Sequence, residues 1–344
     1  MNYISLFEIY KTYYNKANVI LGAEYLSGIQ ETNFVESLFT NKKECKNRIL
    51  QLLKLREKEG LIPEKLLQNL KTKRVRHIMS IFLLGLYIYD NSRIKSDIDE
   101  IIANLFKDVE ILEDEERRFY FVWMLLCLFH DNGYVVEENS KNIEQSEKKI
   151  NDLLKAFEDD YKIGSYIPNL YNILLIKKYS QYRIHRMGVV DHGIYGGLDF
   201  IKRIKKLREK LESNDNSRCF WGKSLEKVYY EVAWTIMCHN IFKIENDNKN
   251  AKCYKCFGLD RLITRKRIID LNTHPLLFLF CLVDTIEPLK NYRIDALNKI
   301  SINIEHKKIQ IESTVKKYIN SIEKIGKWLT NAKSKNDNTI EISL

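Results

Sequence analysis

The chain has 344 residues, of which 45% are hydrophobic and 30% charged, as in globular proteins, and it is long enough for one large domain or two modest ones. Only 13 Gly and 4 Pro interrupt it, while Leu, Ile, Lys and Glu dominate, so a turn-rich β architecture is disfavoured and an all-α fold is expected. The net charge of +10 points to anionic partners, such as nucleotides or nucleic acid, without identifying one.

The first predicted elements are two or three amphipathic helices in an N-terminal extension, residues 1–70, with a break near residues 60–63. A larger helical domain is predicted for residues 71–295. It opens with two strongly apolar helices, around RHIMSIFLLGLYIYD and FYFVWMLLCLFHD.

A polar, charged insertion is predicted at residues 137–165. Apolar helical stretches resume beyond residue 170, in RMGVVDHGIYGGLDFIKRI, VYYEVAWTIMCHNIF and HPLLFLFCLVDTIEPL. The C-terminal region, residues 296–344, contains the alternating segment INIEHKKIQIES, which predicts a short hairpin or edge pair. We expect one more amphipathic helix to Trp328, then a polar end that frays.

The sequence has no run of ~20 apolar residues, which a bilayer span needs, and its N-terminus lacks the basic and apolar segments of a signal peptide. We therefore expect no membrane association and a cytoplasmic location, with 7 reduced cysteines. Cys253 and Cys256 form a CxxC pair with no second pair at zinc-site spacing. This favours ordinary loop cysteines over a structural zinc site.

Each apolar helix carries a histidine or an aspartate on, or at the end of, the stripe that should face the core. In chain order these residues are His77, His130, Asp131, His192, His239 and Asp284. A buried carboxylate is costly unless it is paired or bound to a cation, and imidazole and carboxylate groups are common ligands of divalent metals. A single buried histidine is more often structural. The joint occurrence of six such residues on five helices predicts a metal site. The glycines after His192, in GIYGG, should let its helix approach a neighbour closely.

The order of these residues resembles that of the HD superfamily of metal-dependent phosphohydrolases, an all-helical family named for its His-Asp pair. The resemblance covers roughly residues 70–290. The segments VDHGIYGG and PLLFLFCLVDTIEP are also similar to HD proteins found beside bacterial signalling and defence genes. The resemblance implies a first metal ion whose ligands are His77, His130, Asp131 and Asp284. It implies a second ion at His192 and His239, with Asp131 bridging the two.

Two positions depart from the family's pattern. Many HD enzymes have a lysine three residues after the Asp of the pair, whereas this chain has Tyr134. One branch, which acts on cyclic di-GMP, has His-His where this chain has His239 and Asn240, and this difference argues against that branch. We expect two divalent ions, with a single ion as the alternative.

Nitrogen and oxygen ligands without a thiolate suit Mn, Fe, Mg, Co or Zn. The resemblance implies that a metal-activated hydroxide attacks phosphorus, so that Asp131 and His130 are catalytic through the metal.

Cations near the predicted ligands are candidates for contacts to the substrate phosphate. Lys243 follows His239 by four residues and is predicted on the same helical face. Arg186 or His185, shortly before His192, is the second candidate. Each of the three side chains could equally be a surface group.

The function expected from the sequence is therefore cleavage of a phosphodiester or phosphoanhydride bond of a nucleotide or cyclic nucleotide. A single-strand nuclease is disfavoured, because no aromatic-basic stretch typical of a strand-binding groove is present. Two functions without turnover are also compatible with the sequence: an HD module that senses a nucleotide or binds a partner protein, and a structural helical scaffold. The sequence does not indicate an oligomeric state.

Overall fold

The structure is a computed structural model, and it describes residues 2–20, 39, 43, 45, 74–109, 115–137, 143–163, 170–212, 225–243, 248–264 and 269–344. The predicted break near residues 60–63, and most of the predicted N-terminal extension, lie outside these ranges. The described residues are mostly helical, with a small antiparallel sheet near the C-terminus. The expected all-α class is therefore too narrow, although the predominance of helix is confirmed.

The helices are α1 (Leu6–Ile20), α2 (Val75–Asn91), α3 (Ile94–Leu105), α4 (Glu115–Phe129), α5 (Tyr134–Glu137), α6 (Ile143–Ile163), α7 (Leu170–Met187), α8 (His192–Glu212), α9 (Glu226–Cys238), α10 (Asn248–Cys256), α11 (Asp260–Thr264), α12 (Pro275–Ile286), α13 (Lys316–Glu323) and α14 (Ile325–Trp328). The strands are β1 (Ile4–Ser5), β2 (Ile300–Glu305), β3 (Lys308–Ser313), β4 (Ala332–Asn336) and β5 (Thr339–Ser343). A short 3₁₀ helix, Ile294–Lys299, precedes β2.

The chain divides into two compact units. Unit 1 comprises Met1–Cys127 and Ile269–Leu344, and unit 2 comprises Leu128–Ile268. These units are interleaved along the chain, whereas the sequence predicted successive domains. The predicted boundaries at residues 70 and 295 stay predictions.

Unit 1 is built on apolar helices. In α2 nearly every residue from Val75 to Tyr89 is buried, as expected of a helix that is apolar on all sides. α2 packs against α1, α3 and α12. The indole nitrogen of Trp123 donates a hydrogen bond to the carbonyl oxygen of Phe82, at 3.1 Å, and its ring lies so close to Gly85 that a Cβ there would overlap it. The absence of a side chain at Gly85 therefore fixes how closely α2 and α4 pack.

A five-stranded antiparallel sheet, in the order β1-β2-β3-β5-β4, also belongs to unit 1. Ile302 pairs with Ile311, and Ile311 with Ile340, so buried isoleucines align across the central strands. The β2–β3 hairpin and a helical stretch ending at Trp328 confirm the predictions for this region. The prediction of a frayed end is wrong, because β4 and β5 pair with each other and β5 pairs with β3.

Unit 2 is arranged around α8, which contacts α5, α6 and α9. The predicted polar insertion contains the amphipathic helix α6, which buries Ile150, Leu154 and Phe157. None of the helices in the described ranges combines the length and apolar character that a membrane span requires.

Candidate metal site

The His-Asp pair lies at the point where α4 ends. The helix stops at Phe129, and the next four residues form a turn in which the N–H of Tyr134 donates to the carbonyl oxygen of Asp131, at 3.2 Å. A Cβ at Gly133 would overlap the carbonyl oxygen of His192, so glycine is required for this turn to touch the start of α8. The buried end of an apolar helix is thereby held against a second predicted ligand.

α8 begins at His192. Asp191 caps this helix, since its Oδ1 accepts the N–H of Ile194 at 3.0 Å. The expected close approach is also present: a Cβ at Gly193 would lie 2.9 Å from Cε1 of His239, and one at Gly197 would overlap the carbonyl oxygen of Ala233. The small residues of GIYGG therefore bring α8 against α9 and against His239.

His239 follows the last residue of α9, Cys238. Its Nδ1 lies 2.7 Å from the carbonyl oxygen of Ile236. Because a carbonyl oxygen can only accept, Nδ1 carries the proton and donates, which leaves the lone pair on Nε2.

Asp131, His192 and His239 form one cluster within unit 2. One ligand atom from each lies within 4.8 Å of the others, and all three residues are buried. Oδ1 of Asp131 lies 3.3 Å from Nε2 of His130 and 3.8 Å from Nε2 of His192. The ring of His130 lies 5.7 Å from that of His239, measured between centroids. Three imidazoles thus surround one carboxylate, a donor set that fits a divalent transition metal.

A carboxylate holds the outer nitrogen of His192. Oε2 of Glu137 lies 2.7 Å from His192 Nδ1, and Oε1 of Glu137 lies 2.5 Å from an Arg183 nitrogen. Burial alone would raise the pKa of Glu137, but its hydrogen bonds and charge interactions with His192 and Arg183 outweigh burial and lower that pKa. The ionised Glu137 fixes Nδ1 as the protonated nitrogen, so the lone pair of His192 lies on Nε2, the nitrogen that faces Asp131. Nε of Arg183 also lies 3.6 Å from Oδ2 of Asp191.

The two residues that differ from the HD pattern, Tyr134 and Asn240, both contact His192. The ring of Tyr134 stacks on the imidazole, with centroids 3.6 Å apart and planes 17° apart. Nδ2 of Asn240 lies 2.8 Å from His192 Nε2. Tyr134 and Asn240 therefore contact the same predicted ligand, one at its ring face and the other at Nε2.

The two predicted ligands of unit 1 also contact each other. Nε2 of His77 lies 3.2 Å from Oδ1 of Asp284, and Nδ1 lies 2.6 Å from Oε2 of Glu287. Burial would lower the pKa of His77, but the charge of Glu287 and hydrogen bonds to both carboxylates outweigh burial and raise it to about 9. Glu287 also accepts the N–H of Lys290, at 3.0 Å. Convergence of all six predicted ligands in one pocket stays a prediction.

The residues predicted to contact the substrate phosphate are Lys243, Arg186 and His185. α9 ends before His239, so the prediction that Lys243 shares a helical face with His239 is wrong; Lys243 is half-buried beyond a turn that follows the helix. Arg186 is exposed in the last turn of α7, and the neighbouring His185 contacts Glu147 at 3.0 Å. Within the described part of the chain, neither Arg186 nor His185 hydrogen-bonds or ion-pairs with the three-residue cluster. The catalytic roles of Lys243 and Arg186 stay predictions.

Cys253 and Cys256 lie in α10, where Cys256 is exposed. Among the residues that the structure describes, neither belongs to a group of three or more potential metal ligands.

Sequence reasoning missed the residues that support the ligands: Glu137, Arg183, Asp191 and Glu287. Glu137 is the first residue of the segment predicted to be a polar insertion, and Arg183 is one of many spaced cations. The one signal in the sequence was Glu287, which follows Asp284 by three residues at the end of an apolar run.

Comparison of the chain with protein-family models, with curated proteins and with solved structures found no match.

Proposed function

We propose that the protein is a metal-dependent phosphohydrolase of the HD type, which cleaves a phosphodiester or phosphoanhydride bond of a nucleotide or cyclic nucleotide. The observation that carries the proposal is the buried cluster of Asp131, His192 and His239, whose ligand atoms lie within 4.8 Å of one another. The outer nitrogens of both histidines are held by acceptors, and the inner nitrogen of His192 faces the carboxylate of Asp131, an arrangement that supports metal ligands.

Each residue has a role in this proposal. Asp131, His192 and His239 bind a divalent ion, for which Mn, Fe, Mg, Co and Zn are all suitable. Glu137 orients His192, and the carbonyl oxygen of Ile236 orients His239. A divalent ion bound here would polarise a phosphoryl oxygen and lower the pKa of a bound water. The net charge of +10 favours approach of an anionic substrate.

The first test is metal analysis of protein purified without added metal, followed by a turnover screen. Nucleotides, cyclic nucleotides, oligonucleotides and a generic phosphodiester are incubated with the Mn and Co forms, and products are read by phosphate release and chromatography. We expect bound metal and turnover of at least one nucleotide. Absence of turnover in every arm would contradict the proposal.

The matched variant is Asp131→Ala. It should abolish both turnover and metal retention while far-ultraviolet circular dichroism stays near that of the parent, because the apolar helices are unchanged. Asp152→Ala, which changes an exposed aspartate of α6, is the control and should change neither. Retained activity in Asp131→Ala would remove this carboxylate from the mechanism.

A nucleotide-sensing module without turnover is the second candidate. The contact between Asn240 Nδ2 and His192 Nε2, at 2.8 Å, favours it, because an amide N–H that donates to Nε2 competes with a metal ion for the same lone pair. If this candidate is right, nucleotide binds and is recovered intact. Asn240→Ala should then increase the metal content of the protein.

A further inference from the structure

A cavity of about 220 Å³ lies in unit 2. Its apolar wall comes from three segments: Val136 in α5, Ile150 in α6 and Val190 just before α8. Lys149 and Tyr195 face it as well, and Gln145 and Ser146 contribute polar groups from α6. The volume is below the ~300–1,000 Å³ of pockets that enclose whole drug-sized ligands, so the cavity suits a single ring system.

Three of the residues that line the cavity, Val136, Val190 and Tyr195, are close in sequence to His192 or to Glu137, which contacts it. Val136 immediately precedes Glu137, whose carboxylate lies 2.7 Å from His192 Nδ1. Val190 is two residues before His192. Tyr195 is three residues after it in α8, so the two side chains project from adjacent turns of one helix. A molecule in the cavity would therefore be a neighbour of the ligand-bearing end of α8.

Lys149 gives the cavity its chemical character. Its Nζ lies 2.7 Å from the hydroxyl oxygen of Tyr195 and 4.8 Å from the centroid of the tyrosine ring. These contacts hold the ammonium group at a defined place, although an ammonium has three donors and the tyrosine hydroxyl uses one. Among the described residues that line the cavity, Lys149 is the only cation.

The lining is mostly aliphatic and aromatic, and its one cation, Lys149, lies at an exposed rim. This arrangement does not match a phosphate site, which needs several donors to offset its charge. It matches a planar base that packs on the aliphatic walls and accepts one hydrogen bond. Guanine, uracil, thymine and cytosine carry a ring carbonyl oxygen that can accept from Lys149, whereas adenine carries none.

We propose that this cavity binds the base of the nucleotide whose phosphate reaches the cluster of Asp131, His192 and His239, and that Lys149 Nζ donates a hydrogen bond to a carbonyl oxygen of that base. This inference rests on the proposed function. It makes the carbonyl-bearing bases the preferred substrates.

The test uses nucleosides, which have no phosphate to cleave. Binding of guanosine, uridine and adenosine to the full-length protein is measured by calorimetry, with ribose 5-phosphate as the ligand that lacks a base. We expect guanosine or uridine to bind at least tenfold more tightly than adenosine. Lys149→Met should weaken that binding about tenfold, the effect of losing one charge-assisted hydrogen bond.

Lys148→Met is the matched control, since Lys148 is adjacent to Lys149 in α6 and equally exposed but does not line the cavity. Ser146→Phe, which fills the cavity from a half-buried position, should weaken nucleoside binding by a second route, with the melting temperature measured to verify folding. Equal binding to the parent and to Lys149→Met, absence of nucleoside binding, or binding of ribose 5-phosphate that depends on Lys149 would each overturn the base assignment.

The outcome is separable from that of the proposed function. Nucleoside binding that depends on Lys149, in a protein that hydrolyses no nucleotide, supports the cavity and contradicts only the hydrolase proposal. Hydrolysis of a nucleotide that does not depend on Lys149 supports the hydrolase proposal and contradicts the base assignment.

Discussion

Four residues constrain the imidazole of His192. Glu137 lies at Nδ1, Asp131 and Asn240 face Nε2, and the ring of Tyr134 covers one face of the imidazole. These contacts prevent rotation of the imidazole, so the orientation of its Nε2 lone pair is set before any ion binds. Such preorganisation lowers the ordering cost of metal binding.

The first prediction concerns the carboxylate that orients this ring. Glu137→Gln keeps the size of the side chain but removes the charge that favours a protonated Nδ1, so metal affinity should fall by roughly 10- to 100-fold. Titration of metal-free protein with Mn or Co, read by calorimetry, measures the change. The control is Glu144→Gln, an exposed glutamate of α6, whose metal affinity should equal that of the parent. Equal affinity in Glu137→Gln would mean that His192 does not bind the ion through Nε2.

For single residues, the sequence identified the candidate metal ligands but not the residues that hydrogen-bond to them. A histidine on an apolar face is recognisable because it breaks a pattern, and His192 and His239 were found in this way. Glu137 breaks no pattern, since it begins a charged segment, and its role depends on a contact with a residue 55 positions away. Such contacts follow from the packing of helices, which local periodicity does not determine.

The packing of α8 against α9 decides the distance between two of the ligands. His192 opens α8 and His239 follows α9, and Gly193 and Gly197 line the contact between these elements. Any side chain inserted at this contact would move one ligand relative to the other. The cluster therefore depends on two glycines that bind nothing themselves.

The second prediction tests this dependence. A methyl group in Gly197→Ala would overlap the carbonyl oxygen of Ala233 and lie 2.6 Å from Cγ of Met237, so α8 and α9 must separate. Overpacking of this kind costs about 1–3 kcal/mol of unfolding free energy, which urea unfolding measures. Metal affinity should fall as well.

Gly196→Ala is the matched control on the same helix. Its methyl group would lie 3.3 Å from the nearest atom, the backbone nitrogen of Gly133, so a small adjustment suffices. The gain in helix propensity, about 1 kcal/mol, offsets much of that adjustment. If Gly197→Ala proves as stable as Gly196→Ala, the two helices are not held by this contact.

The sheet shows where element prediction succeeded and failed. The β2–β3 hairpin was predictable because its isoleucines alternate over both strands of one local segment. β5 has only the short alternation of Thr339–Ser343. Its neighbour in sequence, β4, is polar and largely exposed, so this hairpin lacks an alternating apolar pattern on one strand. Its other partner, β3, lies about 30 residues earlier, as in the pairing of Ile311 with Ile340. β1 is two residues long and pairs with β2 across most of the chain. Strand pairs that are remote in sequence leave little local signal.

At the scale of the whole chain, unit 2 is continuous in sequence and contains the cluster of Asp131, His192 and His239, whereas unit 1 is assembled from both ends of the chain. The pairing of Ile4 with Ile302 ties those ends together. Sequence periodicity identifies helices but not which distant segments fold as one body, so the predicted order of domains did not anticipate this arrangement.

The last prediction uses the net charge, which belongs to the whole molecule. An excess of ten positive charges raises the local concentration of an anionic substrate, and salt screens this attraction because the Debye length shortens as ionic strength rises. For a small nucleotide, kcat/KM should fall by several-fold between about 50 and about 500 mM NaCl, mainly through KM, while turnover at saturation stays nearly constant.

An oligonucleotide would bind through several of its phosphates. Its binding constant should then fall as a steep power of salt concentration, with a slope of about −0.7 per contacted phosphate. Parallel titrations with a mononucleotide and a single-stranded oligonucleotide distinguish these cases. A steep slope accompanied by efficient oligonucleotide cleavage would replace the nucleotide hydrolase with a single-strand nuclease, and a mononucleotide KM that does not respond to salt would show that the net charge plays no part in substrate capture.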